Sequence, residues 1–542
     1  MAMRLRVPAA LAFLLLAAGT SSAQVPGPTW EQLQAQGAVI AGIDISVTDV
    51  FDPADPADDH WFGRAADAIH VQTRTSVVAR ELLFAVGDTV DAGRIHETER
   101  KLRAYSFIRD AHIVADGVSG NTVRAHVLVH DAWSLRGDVG FSHTGGNTTW
   151  RARIDEGNLL GFGKRLILSH QSDPERTTDE IGYVDPQLFG THAVLAADYA
   201  TLSDGKARLI AAELPHYSIE SRYAFGVGVG ANESVLTLYN HGEAVFAYPG
   251  RHESANAYAS WAFAVRDRTA FRVGLSLRAR QDEYGDPVTY QPGWLPAPDT
   301  STRRFRGWMA SWSMLQDRHA TFRNLAGIGH TEDYNLGWVV AGGVGYYATS
   351  LGSLNSASFG EAVASRGWRN GANSLALLNT WWRGRREADG WHDSIARASL
   401  TLYNASLPGQ TLAANVDVFA AVRPDPVNAL YLDGSSGLRG YVDHFLAGDR
   451  RVMFSAEDRV ITGWSLLGLV RVGFVGYVDV GAVHRFDTGA WSRTYADAGG
   501  GLRLGSLKSA RGNSVQLTVA VPLVREPGMD HFVLVLGNSV RF

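Results

Sequence analysis

The chain contains no cysteine in its 542 residues. This absence excludes disulfide bonds, thiolate metal ligands and cysteine nucleophiles, so a stable domain must depend on packing and strand pairing alone. A strongly basic stretch is also missing, since 50 Lys and Arg stand against 55 Asp and Glu for a net charge of −5. Proteins that bind nucleic acids carry a concentrated basic surface. The composition therefore predicts no nucleic acid among the partners.

Long hydrophobic runs are missing as well. The apolar run at 9–18 follows two arginines and leads to a Ser-Ser-Ala sequence that ends at Ala23. A run of this length cannot cross a bilayer core of about 30 Å, which takes about 20 residues as a helix, and the pattern is that of a secretory signal peptide. We therefore predict that residues 1–23 are a signal peptide. No later stretch approaches 18 apolar residues, so the chain can cross a membrane only as a closed β-barrel.

Common catalytic motifs do not occur in the sequence. It has no HExxH, no GxSxG and no P-loop, the patterns that hold a metal-bound water, a serine nucleophile and a nucleotide phosphate. The acid–histidine pairs at 59–60 and 392–393 lack further ligands nearby and are typical of solvated loops. The sequence therefore predicts that the protein is not an enzyme and has neither a metal nor a cofactor.

The sequence does contain a small α+β domain, predicted over residues 38–132 behind a proline-containing linker at 24–37. Apolar residues recur at helical spacing in two segments and alternate with polar residues in the others. The predicted elements are a strand at 39–51, helices at 74–85 and 92–105, and strands at 108–117 and 122–131. Because the first strand is distant in sequence from the last two, we expect at least one sheet edge to be available to an extended polypeptide.

Residues 133–542 have the composition of a β-barrel. The whole chain holds 58 Gly, 22 Phe, 18 Tyr and 15 Trp, and this region divides into short segments of alternating polarity separated by turn residues. About 19 segments can be counted, but single-chain bacterial barrels have even numbers of strands, so at least one assignment is wrong. The difficulty lies at 283–302 and 317–336, two long connections separated by one strand. Either a strand is hidden in 317–336, or one stretch is part of a long strand that projects beyond the membrane.

The C-terminal segment shows the clearest alternation. One face is apolar apart from Asn538, and the other carries glycine, serine and arginine, which suits lipid on one side and a polar lumen on the other. We interpret this segment as a C-terminal targeting strand. Its apolar face comprises Phe532, Leu534, Leu536, Val540 and Phe542.

The sequence Gly-Leu-Arg-Gly-Tyr at 437–441 lies within a long connection at 424–450. The segments at 454–460, 477–483 and 499–505 follow it in order. Together with the α+β domain in front, this arrangement resembles the outer-membrane protein assembly and translocation superfamily, of the BamA/TamA or bacterial surface antigen type. In that family, polypeptide-transport-associated (POTRA) modules precede a sixteen-stranded barrel. The resemblance covers residues 38–542 and implies a mainly β protein, a transmembrane antiparallel β-barrel preceded by one POTRA-like domain.

The resemblance also implies that the 437–441 loop folds back into the barrel lumen. A guanidinium group inside a barrel needs carboxylate partners, and alternation places Glu457 and Asp479 on the lumen side of their strands. The alternative is an exposed glycine-rich turn with an ordinary arginine. The predicted cluster between loop and barrel comprises Arg439, Gly440, Tyr441, Glu457 and Asp479.

The function implied by the resemblance is insertion or translocation of polypeptides at the outer membrane, with the POTRA-like domain in the periplasm receiving an unfolded client. Expected partners are outer-membrane lipid, the unfolded client and periplasmic accessory proteins. A two-partner-secretion export pore remains an alternative, although such pores typically have two POTRA modules and a plug helix, for which residues 24–37 are too few. A passive channel is a further alternative, but it has no use for a POTRA module or a tethered loop.

Overall fold

The computed structural model describes residues 27–51, 70–144, 147–173, 175–290, 299–425, 428, 430–466, 468–508 and 514–538. The predicted signal peptide lies outside these residues, as do Val540 and Phe542. Within the described part of the chain, no helix is both long enough and apolar enough to cross a membrane.

The N-terminal domain is a three-stranded sheet covered on one face by helices. The strand order is β1-β3-β2, with β1 parallel and β2 antiparallel to β3. Apolar side chains from both layers form one buried core that includes Ile40, Val78, Ile95, Leu102 and Val127. The elements are α1 (Trp30–Ala35), β1 (Val39–Thr48), α2 (Thr75–Glu81), α3 (Ala92–Arg103), β2 (Ile108–Ser119) and β3 (Thr122–Asp131).

Helix α1 corrects the prediction that residues 24–37 are only a linker. The Thr29 side chain accepts a hydrogen bond from the Gln32 backbone, and the Gln32 side chain accepts one from the Thr29 backbone, which is a capping box. Trp30 donates to the Ile113 carbonyl at 2.7 Å, and Leu33 is buried. A helix of six residues is too short to show a repeating apolar pattern, and tertiary packing stabilises it instead.

The remaining strands, in chain order, are β4 (Leu135–Thr144), β5 (Asn147–Leu159), β6 (Lys164–Ser172), β7 (Thr177–Asp185), β8 (Val194–Leu202), β9 (Gly205–Leu214), β10 (Tyr223–Asn240), β11 (Glu243–Arg266), β12 (Thr269–Tyr284), β13 (Val288–Thr289), β14 (Arg303–Gln316), β15 (His319–Arg323), β16 (Thr331–Asn335), β17 (Val339–Tyr347), β18 (Ala357–Arg369), β19 (Ser374–Glu387), β20 (Gly390–Asn404), β21 (Gln410–Val422), β22 (Leu430–Leu432), β23 (Leu446–Leu466), β24 (Val470–Arg485), β25 (Tyr495–Ser506), β26 (Ser514–Pro522) and β27 (Val533–Asn538).

These strands, apart from β15 and β16, form one antiparallel sheet whose order returns from β27 to β4 and closes a barrel. The short strands β13 and β22 pair alongside β11 and β23, while β12 pairs directly with β14 and β21 with β23. Among the described residues, twenty strands therefore make the wall, and the expectation of sixteen is wrong. The expectation of sixteen came from the motif at 437–441. This motif lies near the C-terminus and does not indicate how many strand hairpins precede it.

One end of the barrel contacts the N-terminal domain, and we call it the proximal end. Side chains and one backbone carbonyl of the domain contact the turns and strand ends at β5, β7, β9 and β11. The contacts are Asn158 to Thr73 at 2.9 Å, Gln187 to the Val77 carbonyl at 3.0 Å, the Ile219 amide to Glu97 at 2.7 Å and Arg268 to Glu97 at 2.6 Å. The opposite end, which we call distal, holds the connection between β21 and β23.

The stretch at 317–336, where a hidden strand was one of two expectations, contains two strands that are not part of the barrel wall. β15 and β16 pair only with each other, from His319 with Asn335 to Arg323 with Thr331. This hairpin leaves the proximal end between β14 and β17. We call residues 317–336 the lumen hairpin, for the contacts described below.

Candidate functional site

The strands around the site separate exposed apolar side chains from buried polar ones. In β23, Val452 and Phe454 are exposed, whereas Ser455 and Glu457 are buried. In β24 the same alternation continues, with exposed Phe474 and Val478 next to buried Tyr477 and Asp479. Successive residues of a strand point to opposite faces. Both carboxylates therefore lie on the lumen face, opposite the apolar outer face.

The distal loop between β22 and β23 bends back into this lumen. Asp433 fixes the bend, because its side chain accepts from the amides of Ser436 at 2.7 Å and His444 at 2.9 Å, and its carbonyl accepts from Leu438 at 2.9 Å. Beyond the bend, apolar side chains pack in one buried cluster on the inner wall. Its members are Leu432, Leu438, Tyr441, Phe445, Leu446, Met453, Val483 and Tyr495.

Arg439 joins this loop to the two lumen carboxylates. Its Nε and Nη2 donate to the two oxygens of Asp479 at 2.7 and 2.9 Å, and its Nη1 donates to Glu457 at 2.6 Å. The guanidinium also lies 3.4 Å from the centre of the Tyr477 ring. Arg439 is 5% exposed, so charge-assisted bonds to both carboxylates and the aromatic face compensate for its loss of solvent.

Gly440 and Tyr441 complete the contact between loop and wall. The Gly440 amide donates to Asp497 at 3.1 Å, and the Tyr441 hydroxyl donates to the Val524 carbonyl at 2.8 Å. A Cβ atom on Gly440 would lie 2.8 Å from the Cβ of Asp497 and 3.2 Å from the backbone nitrogen of Pro522. Only glycine fits this close approach. The five predicted cluster residues therefore lie together in the structure.

Asp497 belongs to the same site but was not identified from the sequence. It lies on β25 directly opposite Asp479 on β24, and it is fully buried. The available signal was the alternation of β25, in which Leu502 points outward and is exposed. The same alternation places Asp497 and Arg503 on the lumen face.

The lumen hairpin contacts the same wall from the proximal side. Arg459 donates to Glu457 at 2.7 Å and to the Leu325 carbonyl at 2.9 Å, and Arg503 donates to the Ala326 carbonyl. Glu457 thus binds Arg439 from the distal loop and also Arg459, which holds the hairpin. The alternation of β23 places Arg459 on the lumen face, but no sequence pattern indicated its partner in the hairpin.

Glu332 organises the tip of the lumen hairpin. Its carboxylate accepts from the backbone amides of Leu325, Ala326 and Gly327 at 3.0 to 3.1 Å, and from the Tyr334 hydroxyl at 2.7 Å. The tip amides are therefore bonded within the hairpin. The tip carbonyls point toward the wall.

The base of the lumen hairpin is tied to helix α3. Arg103 forms a bidentate pair with Asp333 at 2.8 and 3.0 Å, and Arg100 binds Asp317 at 2.8 and 2.9 Å. Burial raises the pKa of Asp317, but the hydrogen bond with His319 and the charges of Arg100 and Arg268 outweigh burial and hold that pKa well below its usual range. Asp317 therefore stays charged at neutral pH, and the tie between domain and hairpin persists.

The C-terminal strand exposes the apolar face expected of it as far as the structure describes it. Phe532, Leu534 and Leu536 are exposed on the outer side, and Val533 between them is buried. The strand pairs with β26 from Val533 to Asn538.

No protein-family model matches this chain, and no curated protein does. Solved structures similar to it include BamA from Haemophilus ducreyi lacking POTRA domains 1–3, with 13% identity over 92% of this chain and 84% of that one, at a TM-score of 0.40. CdiB from Escherichia coli is similar with 15% identity over 92% and 75% of the two chains, at 0.47. CdiB from Acinetobacter baumannii is similar with 12% identity over 92% and 73%, at 0.38.

Proposed function

We propose that this protein is an outer-membrane β-barrel that inserts or translocates polypeptides, and that residues 38–132 act as a periplasmic POTRA-like module that receives the unfolded client. The observation that carries this proposal is the distal loop held inside the barrel by Arg439, Glu457 and Asp479. A passive channel needs an open, water-filled lumen. This lumen instead receives one segment from each end of the barrel.

The outer surface supports a membrane location. Exposed apolar side chains alternate with buried ones in parts of β23 and β24 and along β26, and include Phe454, Phe474 and Leu517. Such a band suits contact with lipid, and closure of the sheet satisfies the backbone within it. The proximal end, with the N-terminal domain, would then face the periplasm.

One sheet edge of the N-terminal domain suits main-chain pairing with a client. On β2 the outward backbone groups are bonded by side chains, because Ile113 donates to Glu99 and accepts from Trp30, and Ala111 accepts from Arg103. On β1, Ile43 and Ile45 direct their backbone groups away from β3 and have no partner in the described part of the chain. Pairing through backbone groups accepts many sequences. We therefore assign the client to the β1 edge.

The proposal is tested with the purified full-length protein in lipid vesicles. An unfolded outer-membrane barrel polypeptide is added, and its folding is followed by heat-modifiable migration on a gel. A photo-crosslinking residue at Asp44 on β1 should capture the client, while the same residue at His112 on β2 should not. Both positions are about half exposed, so they are matched in access. Equal capture at both positions, or no acceleration of client folding, would overturn the proposal.

A passive channel makes a different prediction from the same sample. In planar bilayers it would show a steady, high conductance that client does not alter. A low conductance that rises only when client is present supports transport of polypeptides.

A further inference from the structure

We propose that the lumen wall around Arg459 and Arg503 is a binding site for a short stretch of polypeptide main chain, and that the lumen hairpin is its internal occupant, which a client displaces. This inference rests on the proposed function, since it assigns the client a second contact after the β1 edge. The ligand of the site is a row of backbone carbonyls. In this structure the lumen hairpin supplies them.

The wall binds the hairpin through main-chain atoms. Three consecutive hairpin carbonyls accept hydrogen bonds from wall side chains, because Thr411 binds Asn324 at 2.8 Å, Arg459 binds Leu325 at 2.9 Å, and Arg503 binds Ala326. Backbone carbonyls are present in every polypeptide. A site that binds backbone carbonyls can accept chains of any sequence.

Arg503 has donor capacity that the hairpin does not use. It is 1% exposed, and its Nε and Nη1 have no hydrogen-bond partner among the described residues. Leaving donors of a buried charged group unbonded is costly. A ligand with more acceptor atoms at this position would bond these donors as well.

The same wall offers an apolar surface beside the arginines. Phe322 and Leu325 of the hairpin pack against Leu375, Tyr403 and Ala413. An apolar or aromatic side chain two or three residues from the bonded carbonyls would fill the same space. The site therefore favours extended segments that combine free carbonyls with apolar side chains, as unfolded barrel strands do.

The hairpin can leave this wall with little rearrangement of its own. Glu332 already bonds the tip amides, so departure leaves these amides bonded and exposes the carbonyls that the wall had bound together with the apolar side chains of Phe322 and Leu325. The base stays attached to helix α3 through Arg103 and Asp333. A client that moves the N-terminal domain would therefore move the base of the hairpin with it.

Displacement of the hairpin would also reach the distal loop. Arg459 bonds Glu457, and Glu457 bonds Arg439. When Arg459 changes its carbonyl partner, the position of Glu457 beside Arg439 changes with it. The distal loop is thus coupled to the lumen hairpin through Arg459, Glu457 and Arg439.

The test is a reversible cross-link between hairpin and wall. A Cβ atom on Gly505 would lie 2.6 Å from the Cβ of Ile328, whereas a disulfide needs about 3.8 Å, so Ile328→Cys with Gly505→Cys can close after a shift of about an ångström. The matched control is Arg323→Cys with Thr331→Cys, which are paired across the hairpin and lock it only to itself. The cysteine-free sequence keeps both designs unambiguous.

We expect the oxidised wall-locked variant to lose client folding in the vesicle assay and to regain it on reduction. The oxidised control should keep full activity. Equal activity of the wall-locked variant before and after reduction would overturn the inference. Because the same molecules are compared in two redox states, a folding defect cannot imitate the expected result.

A second measurement separates this inference from the proposed function. In the single variant Ile328→Cys, the thiol should react slowly with a maleimide and faster when an unfolded polypeptide is added. Faster labelling without any client folding would keep the binding site and reject the insertion function. Unchanged labelling would reject the displaced hairpin whether or not the client folds.

Discussion

At the scale of single residues, the stability of the distal loop depends on the charges around Arg439. Removing one member of a buried, bonded charge pair leaves the other uncompensated, at a cost on the order of 3–5 kcal/mol. We therefore expect Arg439→Ala, Glu457→Ala and Asp479→Ala each to lower the free energy of unfolding by about that amount. Urea unfolding in lipid vesicles and the protease resistance of the loop measure the effect.

The matched control for these variants is Arg493→Ala. Arg493 also lies toward the distal end and binds a carboxylate, Glu526 at 3.3 Å, but its side chain is 51% exposed. Exposed ion pairs contribute little to stability, so this variant should behave as the wild type does. If Arg439→Ala is no more sensitive to protease than Arg493→Ala, the loop is not held as described.

A second residue-scale prediction concerns the pH dependence of helix α1. His96 on α3 contacts Glu99 at 3.2 Å and Glu31 of α1 at 2.9 Å. The hydrogen bond with Glu99 raises the pKa of His96, burial opposes this, and Glu31 adds to the rise. A raised histidine pKa gives stabilisation that is complete below the unfolded value of about 6.5 and is lost as pH rises through the folded value.

Amide hydrogen exchange of α1 should therefore become faster, after correction for intrinsic rates, as pH rises above the unfolded histidine value of about 6.5. In His96→Gln the corrected rates should not change with pH over this range. The same pH response in wild type and variant would assign the change to another group.

At the scale of elements, the sequence did not predict that the strands of the lumen hairpin lie outside the barrel wall. Alternation indicates strands in 317–336, but five-residue strands that pair with each other have the same pattern as strands of the wall. What distinguishes them is their set of partners, such as Arg459 and Arg503, which lie more than a hundred residues away in the sequence. The same limit applies to α1, whose stability comes from Ile113 on β2.

For the site around Arg439, by contrast, strand alternation predicts which side chains face the lumen. Glu457 and Asp479 lie in long strands whose outward positions are mostly apolar, with Asp458 as an exception, so their lumen face follows from the sequence alone. Asp497 lies in a glycine-rich strand, where few side chains mark the two faces. Alternation places Asp497 on the lumen face, but its bond with the Gly440 amide is seen only in the structure.

The hairpin tip allows a prediction at the scale of an element. In Glu332→Gln, an amide replaces a carboxylate that accepts four hydrogen bonds, so the charge that favours three backbone donors is lost. Hydrogen bonds to charged groups contribute about 1.5–3 kcal/mol each. We expect exchange of the Leu325, Ala326 and Gly327 amides to become markedly faster. Exchange in α3 serves as the internal control, and an equal increase there would indicate general destabilisation instead.

At the scale of the whole molecule, one part of the barrel wall binds segments that enter the lumen from both ends. Strands β23 and β25 hold the distal loop through Glu457 and Asp497, and the lumen hairpin through Arg459 and Arg503. The last and first strands, β27 and β4, follow this wall in the ring after β26. A client displacing the hairpin would thus arrive near the closure of the barrel.

That closure decides between insertion into the membrane and export through the lumen. Gly537 lies within β27, and a glycine inside a strand weakens it. An insertase must open the seam sideways, whereas an export pore passes its client along the lumen and leaves the seam closed. We expect the protein to insert clients through the seam between β4 and β27.

A set of cysteine pairs, each with one cysteine in β4 and one in Val533–Leu536, locks the seam by oxidation. The control pair is Val519→Cys with Leu534→Cys, which are register partners on β26 and β27 and lock two strands that need not separate. Oxidation across the seam should abolish client folding in vesicles, reduction should restore it, and the control pair should remain active in both states. If seam-locked protein still moves a client across the bilayer, the polypeptide travels through the lumen, and the export pore becomes the function that this barrel performs.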